Sequence, residues 1–152
     1  MTTPRTRRRP VRRPSPEQYN AFITQIDLRD IWVVSARMQN LQGKKQPEDM
    51  AIDIQSKASW ETLTGGFTAQ HAYQLKVRSG NAVAGEIEVA FAVEYGSEIE
   101  LTASLFSVFQ EINLPLNTWP YLRAFVGDAF AKMGWSPLAL PTFKTGNKTE
   151  DS

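Results

Sequence analysis

The fold is decided by residues 101–143, LTASLFSVFQEINLPLNTWPYLRAFVGDAFAKMGWSPLALPTF. We interpret this stretch as two apolar helices joined by a proline-bearing elbow and followed by a short extended arm. The second helix is predicted to begin at Thr118, a favourable N-cap, with Pro120 in its first turn, where the missing N–H is not needed. Gly134 has the position of a C-terminal capping glycine. Apolar residues recur at helical spacing between these points: Leu122, Phe125, Val126, Ala129, Phe130 and Met133.

The elbow, residues 112–116, and the arm, residues 135–143, are unusually apolar for connecting segments. Such segments either pack into the core or bind a partner, and the sequence leaves both interpretations open. An apolar groove beside them would hold extended, unfolded polypeptides by side-chain burial, at about 25 cal/mol per Å² and without sequence specificity. The candidate residues for binding such polypeptides, called clients below, are Leu114, Leu116, Trp119, Tyr121, Trp135, Leu138, Leu140 and Phe143.

Four strand-like runs precede the helices. The first, residues 22–39, alternates between apolar and polar side chains, and a break in alternation at residues 30–34 predicts a bulge. The others cover residues 51–63, 67–79 and 82–95. Because the connections are short, we predict a four-stranded antiparallel meander. With two helices packed on one face of this sheet, the fold class is two-layer α+β.

The regular alternation of the fourth strand also predicts an oligomer. Helices can cover only one face of the sheet, and we expect a second copy of the chain to cover apolar residues on the other face, since an exposed patch of that size promotes aggregation. The residues that suggest this are Val83, Ile87, Val89, Phe91 and Val93.

Composition argues against catalysis. The 152 residues, 41% of them hydrophobic, suit one domain, and the absence of cysteine excludes a thiol nucleophile or zinc–thiolate site. The one histidine, His71, lies mid-strand, where a hydrogen-bonded structural role is more common than catalysis. We therefore expect no enzyme activity, cofactor or metal. No run approaches the roughly 18 apolar residues of a membrane span, and the start lacks a secretory pattern, so a cytoplasmic protein is expected.

The basic residues are concentrated at the start of the chain. Residues 1–16 hold six of the 17 basic residues, none of the 16 acidic ones and four prolines, which predicts a disordered arm. This arm is either a tether for nucleic acid, acidic lipid or an acidic partner, or a solubilising tail. The predicted globular domain covers residues 17–143, and residues 144–152 form a polar, disordered tail.

The second helix carries a family resemblance. The run Trp119-Pro120-Tyr121-Leu122-Arg123, the small-residue helix and glycine after it, and the Pro-Leu-x-Leu-Pro arm at residues 137–141 resemble the SecB export-chaperone family. The resemblance extends more loosely over residues 22–143, with residues 26–31 similar to the family's first strand. It implies a SecB-like sheet and two helices, assembled as a homotetramer, a dimer of dimers.

The resemblance also implies a function and partners. SecB-like chaperones hold unfolded polypeptides for the export ATPase SecA, and short members outside export protect aggregation-prone antitoxins; both roles suit this chain. Asp30, Glu86 and Glu88 fall at strand positions that dock SecA in the family, although Glu86 replaces a leucine and Val34 replaces an acid. The alternative function is that of a nucleic-acid-associated oligomer that uses the arginine arm.

Overall fold

The computed structural model describes residues 11–44 and 47–136. The described part forms one sheet and three helices. In chain order these are α1 (Pro16–Gln25), β1 (Asp27–Asn40), β2 (Met50–Leu63), β3 (Gly66–Ser79), β4 (Ala82–Gly96), α2 (Ala103–Phe109) and α3 (Asn113–Lys132). The candidate residues Leu138, Leu140 and Phe143, the polar tail and residues 1–10 lie outside the described residues.

The sheet is antiparallel throughout, with the strand order β1-β4-β3-β2. The predicted four-stranded antiparallel sheet followed by helices is confirmed. The meander itself covers only β2, β3 and β4, because β1 pairs with β4 rather than with β2. Strands β4 and β3, whose helix-side residues are mostly apolar and buried, thereby occupy the centre. The bulge predicted in β1 appears as register shifts between Leu28 and Asp30 and between Val33 and Ser35.

Helix α1 was not predicted, since the sequence reading extended the first strand back to Phe22. Ser15 caps the helix by accepting a hydrogen bond from the Gln18 N–H, and the Gln18 side chain accepts one from the Ser15 N–H. This capping box, with Pro16 in the first turn, fixes the helix start. Phe22 is fully buried from α1 and packs on Phe67 and Phe109.

Helix α3 differs from the prediction at its start. It begins at Asn113, so the predicted elbow forms its first turn and Thr118 is a buried residue inside the helix, not an N-cap. Pro115 is tolerated because the first N–H groups of a helix have no partner within it. Pro120 lies deeper, and its missing N–H removes one hydrogen bond from the helix. Helix α2 has only 7 residues, with Thr102 as its N-cap.

The end of α3 agrees with the prediction. Gly134 has a φ of 75° and follows the last helical turn. The Gly134 N–H donates to the Ala131 carbonyl, and the Trp135 N–H donates to the Phe130 carbonyl at 3.0 Å. The Trp135 ring packs edge-on against Phe130. These are the two hydrogen bonds and the apolar contact of a Schellman motif, which needs a left-handed residue at Gly134.

The two faces of the sheet have opposite character. Side chains of β3 and β4 on the helix side form a core with Leu122, Val126 and Phe130 of α3. We call the other side of the sheet the open face. Its residues on β3 and β4 are polar or small: Thr68, Gln70, Ala72, Gln74, Lys76, Glu86, Glu88, Ala90, Ala92 and Glu94. The expectation of a second apolar face was wrong, because Ile87, Val89, Phe91 and Val93 are buried within the chain itself.

Candidate functional site

A buried polar cluster seats α3 on the sheet. The Thr118 hydroxyl lies 2.9 Å from His71 Nδ1 and 2.7 Å from the Tyr73 hydroxyl, and it donates to the Leu114 carbonyl at 3.2 Å. His71 and Thr118 are 2% and 0% exposed. Burial lowers the pKa of His71 to about 4, so the ring is neutral near pH 7. The cluster fixes α3 over β3, as expected for a structural histidine.

Helix α3 presents its two candidate aromatic residues to opposite sides. The Trp119 ring packs edge-on against Tyr73 of β3, and the Tyr121 ring lies over Phe91 of β4. Residues two apart in a helix are separated by about 200° around its axis. Trp119 therefore faces the β2 edge, while Tyr121 faces the β1 edge. Leu116, also exposed, lies on the outer surface of the helix. The structure does not bring the three into one groove wall.

Two of the candidate residues belong to the core. Leu114 is fully buried, and Trp135 is 3% exposed. The Trp135 ring lies against Gly85, where an added Cβ would be 2.6 Å from its Cη2 atom. Its indole N–H donates to the Gly43 carbonyl at 3.3 Å. Both side chains are therefore part of the core, and neither is available for binding at the surface.

The structure adds a surface that the sequence reading missed. Helix α3 covers the central strands and leaves the helix side of β1 open. Leu28, Val33 and Met38 of β1 are 49%, 46% and 37% exposed, and Tyr121 beside them is 50% exposed. Pairing with β4 places the three β1 side chains on the helix side, next to Tyr95, Phe91 and Ile87. We define the β1 strip as Leu28, Val33, Ala36 and Met38 of β1 together with Tyr121 of α3, all of which are exposed.

The opposite edge is better covered. On the helix side of β2, Ile52, Ile54 and Trp60 are half-buried, and they pack against the core together with Trp119. Trp60 also contacts the Phe106 ring of α2 at a centroid distance of 6.0 Å. The larger exposed apolar surface is therefore on the β1 side of α3.

The predicted docking residues share the open face but are spread along it. Glu86 is paired with Gln39, and Glu88 with Arg37. Gln74 also donates to Glu88, at 3.3 Å. Asp30 is paired with Glu94, six residues further along β4 than Glu88, or about 20 Å away. The structure thus groups Glu86 with Glu88 and separates Asp30 from them.

Residues 11–44 and 47–136 contain neither a candidate metal site nor a helix suited to span a membrane. No group of three or more His, Asp or Glu side chains there is arranged to hold a metal ion. No helix in this part of the chain has the length and apolar character needed to cross a membrane.

Comparison with known proteins identifies the fold. No family model and no curated protein sequence matches the chain. A solved structure does: the SecB-like chaperone Rv1957 of Mycobacterium tuberculosis, in complex with a ChAD peptide from the antitoxin Rv1956 HigA1. The match has a TM-score of 0.74 and covers 86% of this chain and 99% of that one, at 14% sequence identity. This chain has the SecB-like chaperone fold. The SecB-like fold agrees with the resemblance found in residues 119–123, and at this identity the match establishes the fold alone.

Proposed function

We propose that the protein is a non-enzymatic, ATP-independent chaperone that holds unfolded polypeptides on the β1 strip. The observation that carries this proposal is the exposure of Val33, Met38 and Tyr121 beside a well-packed core. Burying about 300 Å² of such surface would contribute about 7 kcal/mol before the cost of ordering the client. Binding of this kind depends on apolar content rather than on one sequence.

Two kinds of client fit this proposal, export substrates and an antitoxin. The M. tuberculosis neighbour was solved with an antitoxin peptide, which supports an antitoxin as client here. For an export role, the open face offers Glu86 and Glu88 as docking residues for SecA, with Arg37 opposite Glu88 on the neighbouring strand. A cytoplasmic location belongs to this proposal in either case.

We also propose that the protein is an oligomer, with an edge of the sheet and not an apolar sheet face as the interface. Strands β1 and β2 are the edges of the sheet, and each offers 14 residues of backbone for further pairing. Exposed apolar side chains are more numerous along β1, including Trp32 on the open face. We propose that copies associate through such an edge into a homotetramer, a dimer of dimers. Light scattering that returned a monomer of about 17 kDa would contradict this.

The test of the chaperone proposal is suppression of aggregation of a reduced, unfolded client. The double variant Val33→Lys, Met38→Lys places two charges on the β1 strip, so suppression should be lost because charges are costly to bury against an apolar client. The matched control is Ser35→Lys, Gln39→Lys, which adds the same charges on the open face of the same strand.

Three outcomes would count against the proposal. Equal loss in both double variants would mean that charge, not the β1 strip, controls holding. Full activity in both would place the client surface elsewhere. If the unmodified protein does not suppress aggregation at stoichiometric concentration but binds DNA tightly and in a salt-sensitive way, the alternative function is favoured, in which the arginine arm binds nucleic acid.

A further inference from the structure

The methionines of the described region differ widely in exposure. Met38 of β1 is 37% exposed, whereas Met133 at the end of α3 is 8% exposed. Met50, the first residue of β2, is partly buried and packs against the core. Because an oxidant must reach the sulfur atom to react with it, Met38 is the most readily oxidised of these three methionines.

The position of Met38 in the sheet explains its exposure. Pairing with β4 places Met38 beside Ile87, which is fully buried. On its other side, β1 is an edge of the sheet, and no further strand of the described chain covers Met38. The thioether is therefore accessible to a small molecule and at the same time belongs to the apolar β1 strip.

The composition of the chain directs oxidation to this side chain. A cysteine thiolate is the protein group that peroxides usually oxidise first, and the chain contains no cysteine. An exposed methionine sulfur is then the most easily oxidised group that remains. Peroxide reacting with this protein should therefore be consumed mainly at Met38.

We propose that Met38 is a site of reversible oxidation by hydrogen peroxide and that its oxidation weakens client holding. The sulfur attacks one oxygen of the peroxide, so that an S–O bond forms and the O–O bond breaks. The thioether is oxidised to a sulfoxide, and the second oxygen leaves with the protons as water. A methionine sulfoxide reductase reverses the change, with thiols oxidised to a disulfide and the sulfoxide oxygen released as water.

The sulfoxide changes the chemistry of the β1 strip at one point. Its oxygen is a hydrogen-bond acceptor, and the neighbouring side chains of Val33, Ala36 and Ile87 have no donor to offer it. A client that covers Met38 would have to remove water from this oxygen without replacing its hydrogen bonds, so we expect holding to weaken about tenfold. This consequence rests on the proposed function, whereas the oxidation of Met38 does not depend on it.

The first experiment measures where peroxide reacts in the full-length protein. Trypsin cleaves after arginine and lysine, so Arg37 separates Met38 from Trp32, and Met50 and Met133 fall on two further peptides. By mass spectrometry, we expect Met38 to gain one oxygen about tenfold faster than Met133, and also faster than Met50, while the circular dichroism is unchanged. Equal rates at the three sites, or slow oxidation of Met38 because a second copy covers it, would overturn the assignment.

The second experiment measures the consequence for clients with the variants Met38→Leu and Met50→Leu. Both replace methionine by an apolar residue of similar volume that peroxide does not oxidise. After treatment and removal of the peroxide, suppression of client aggregation should fall about tenfold in the unmodified protein and in Met50→Leu, and methionine sulfoxide reductase should restore it. Met38→Leu should keep its activity.

The remaining outcomes separate this inference from the proposed function. Equal loss of holding in Met38→Leu, or oxidation of Met38 without any loss in the unmodified protein, would overturn the inference. If Met38 is oxidised selectively but the untreated protein holds no client, the oxidation site stands and the proposed function fails.

Discussion

Acidification should destabilise the protein through one residue, His71. Its pKa is 6.5 when exposed and is lowered by burial to about 4 in the folded state. The folded state therefore binds the proton less readily than the unfolded state. The stability that comes from keeping the ring neutral is complete above pH 6.5 and is lost as the pH falls towards 4. A difference of about 2.5 pKa units corresponds to about 3 kcal/mol over the whole window.

The effect can be isolated because the chain has a single histidine. Between pH 7 and pH 5.5, linkage predicts a loss of about 1 kcal/mol in the free energy of unfolding. The measurement is urea unfolding at fixed protein concentration, since association would otherwise shift the midpoint. The control variant is His71→Gln, which keeps a hydrogen-bond donor for Thr118 but does not titrate. If the variant and the unmodified protein lose equal stability over this interval, the buried-histidine argument is refuted.

Two further substitutions test the packing around α3 by urea unfolding. Gly85→Ala should cost about 1–3 kcal/mol, because the new Cβ would lie 2.6 Å from Trp135 Cη2 and 3.1 Å from the Gln39 carbonyl oxygen. The control is Gly127→Ala inside α3, where an added Cβ would have no atom within 4 Å. This substitution should stabilise the helix by about 0.5–1 kcal/mol. Equal changes in stability for the two variants would contradict the contact between residue 85 and Trp135. Leu122→Ala should cost about 2–5 kcal/mol, since Leu122 is fully buried in the core. The exposed neighbour Tyr121→Ala should cost less stability and reduce client holding more; the reverse ranking would place the client surface elsewhere.

Local patterns predicted what depends on neighbouring residues in the chain. The strict alternation of residues 82–95 gave β4, and Gly134 after an apolar helical stripe gave the helix end with its left-handed residue. Helix α1 also had a local signal, because Ser15-Pro16-Glu17-Gln18 is a capping box with proline in the first turn. This signal is obscured because the apolar alternation of β1 continues backwards through Phe22.

The apolar elbow shows where a local pattern is insufficient. Leu114 and Pro115 read equally well as a loop that binds a partner or as a buried helical turn. The structure makes them the first turn of α3, where both are buried and Leu114 packs in one apolar cluster with Phe67 and Phe109. Local sequence cannot choose between these interpretations, because burial of a helix start depends on the element packed against it, here β3 with His71 and Tyr73.

The sequence by itself determined the four strands, the antiparallel sheet followed by helices, and the resemblance in residues 119–123 that the SecB-like fold supports. Only the tertiary structure decided that β1 pairs with β4 and becomes an edge strand. That pairing leaves Val33 and Met38 exposed beside α3, whereas residues of equal apolar character in β4 are buried. Alternation places side chains on one face of a strand, but exposure depends on which strands the helices cover, and that is set by contacts between residues far apart in the chain.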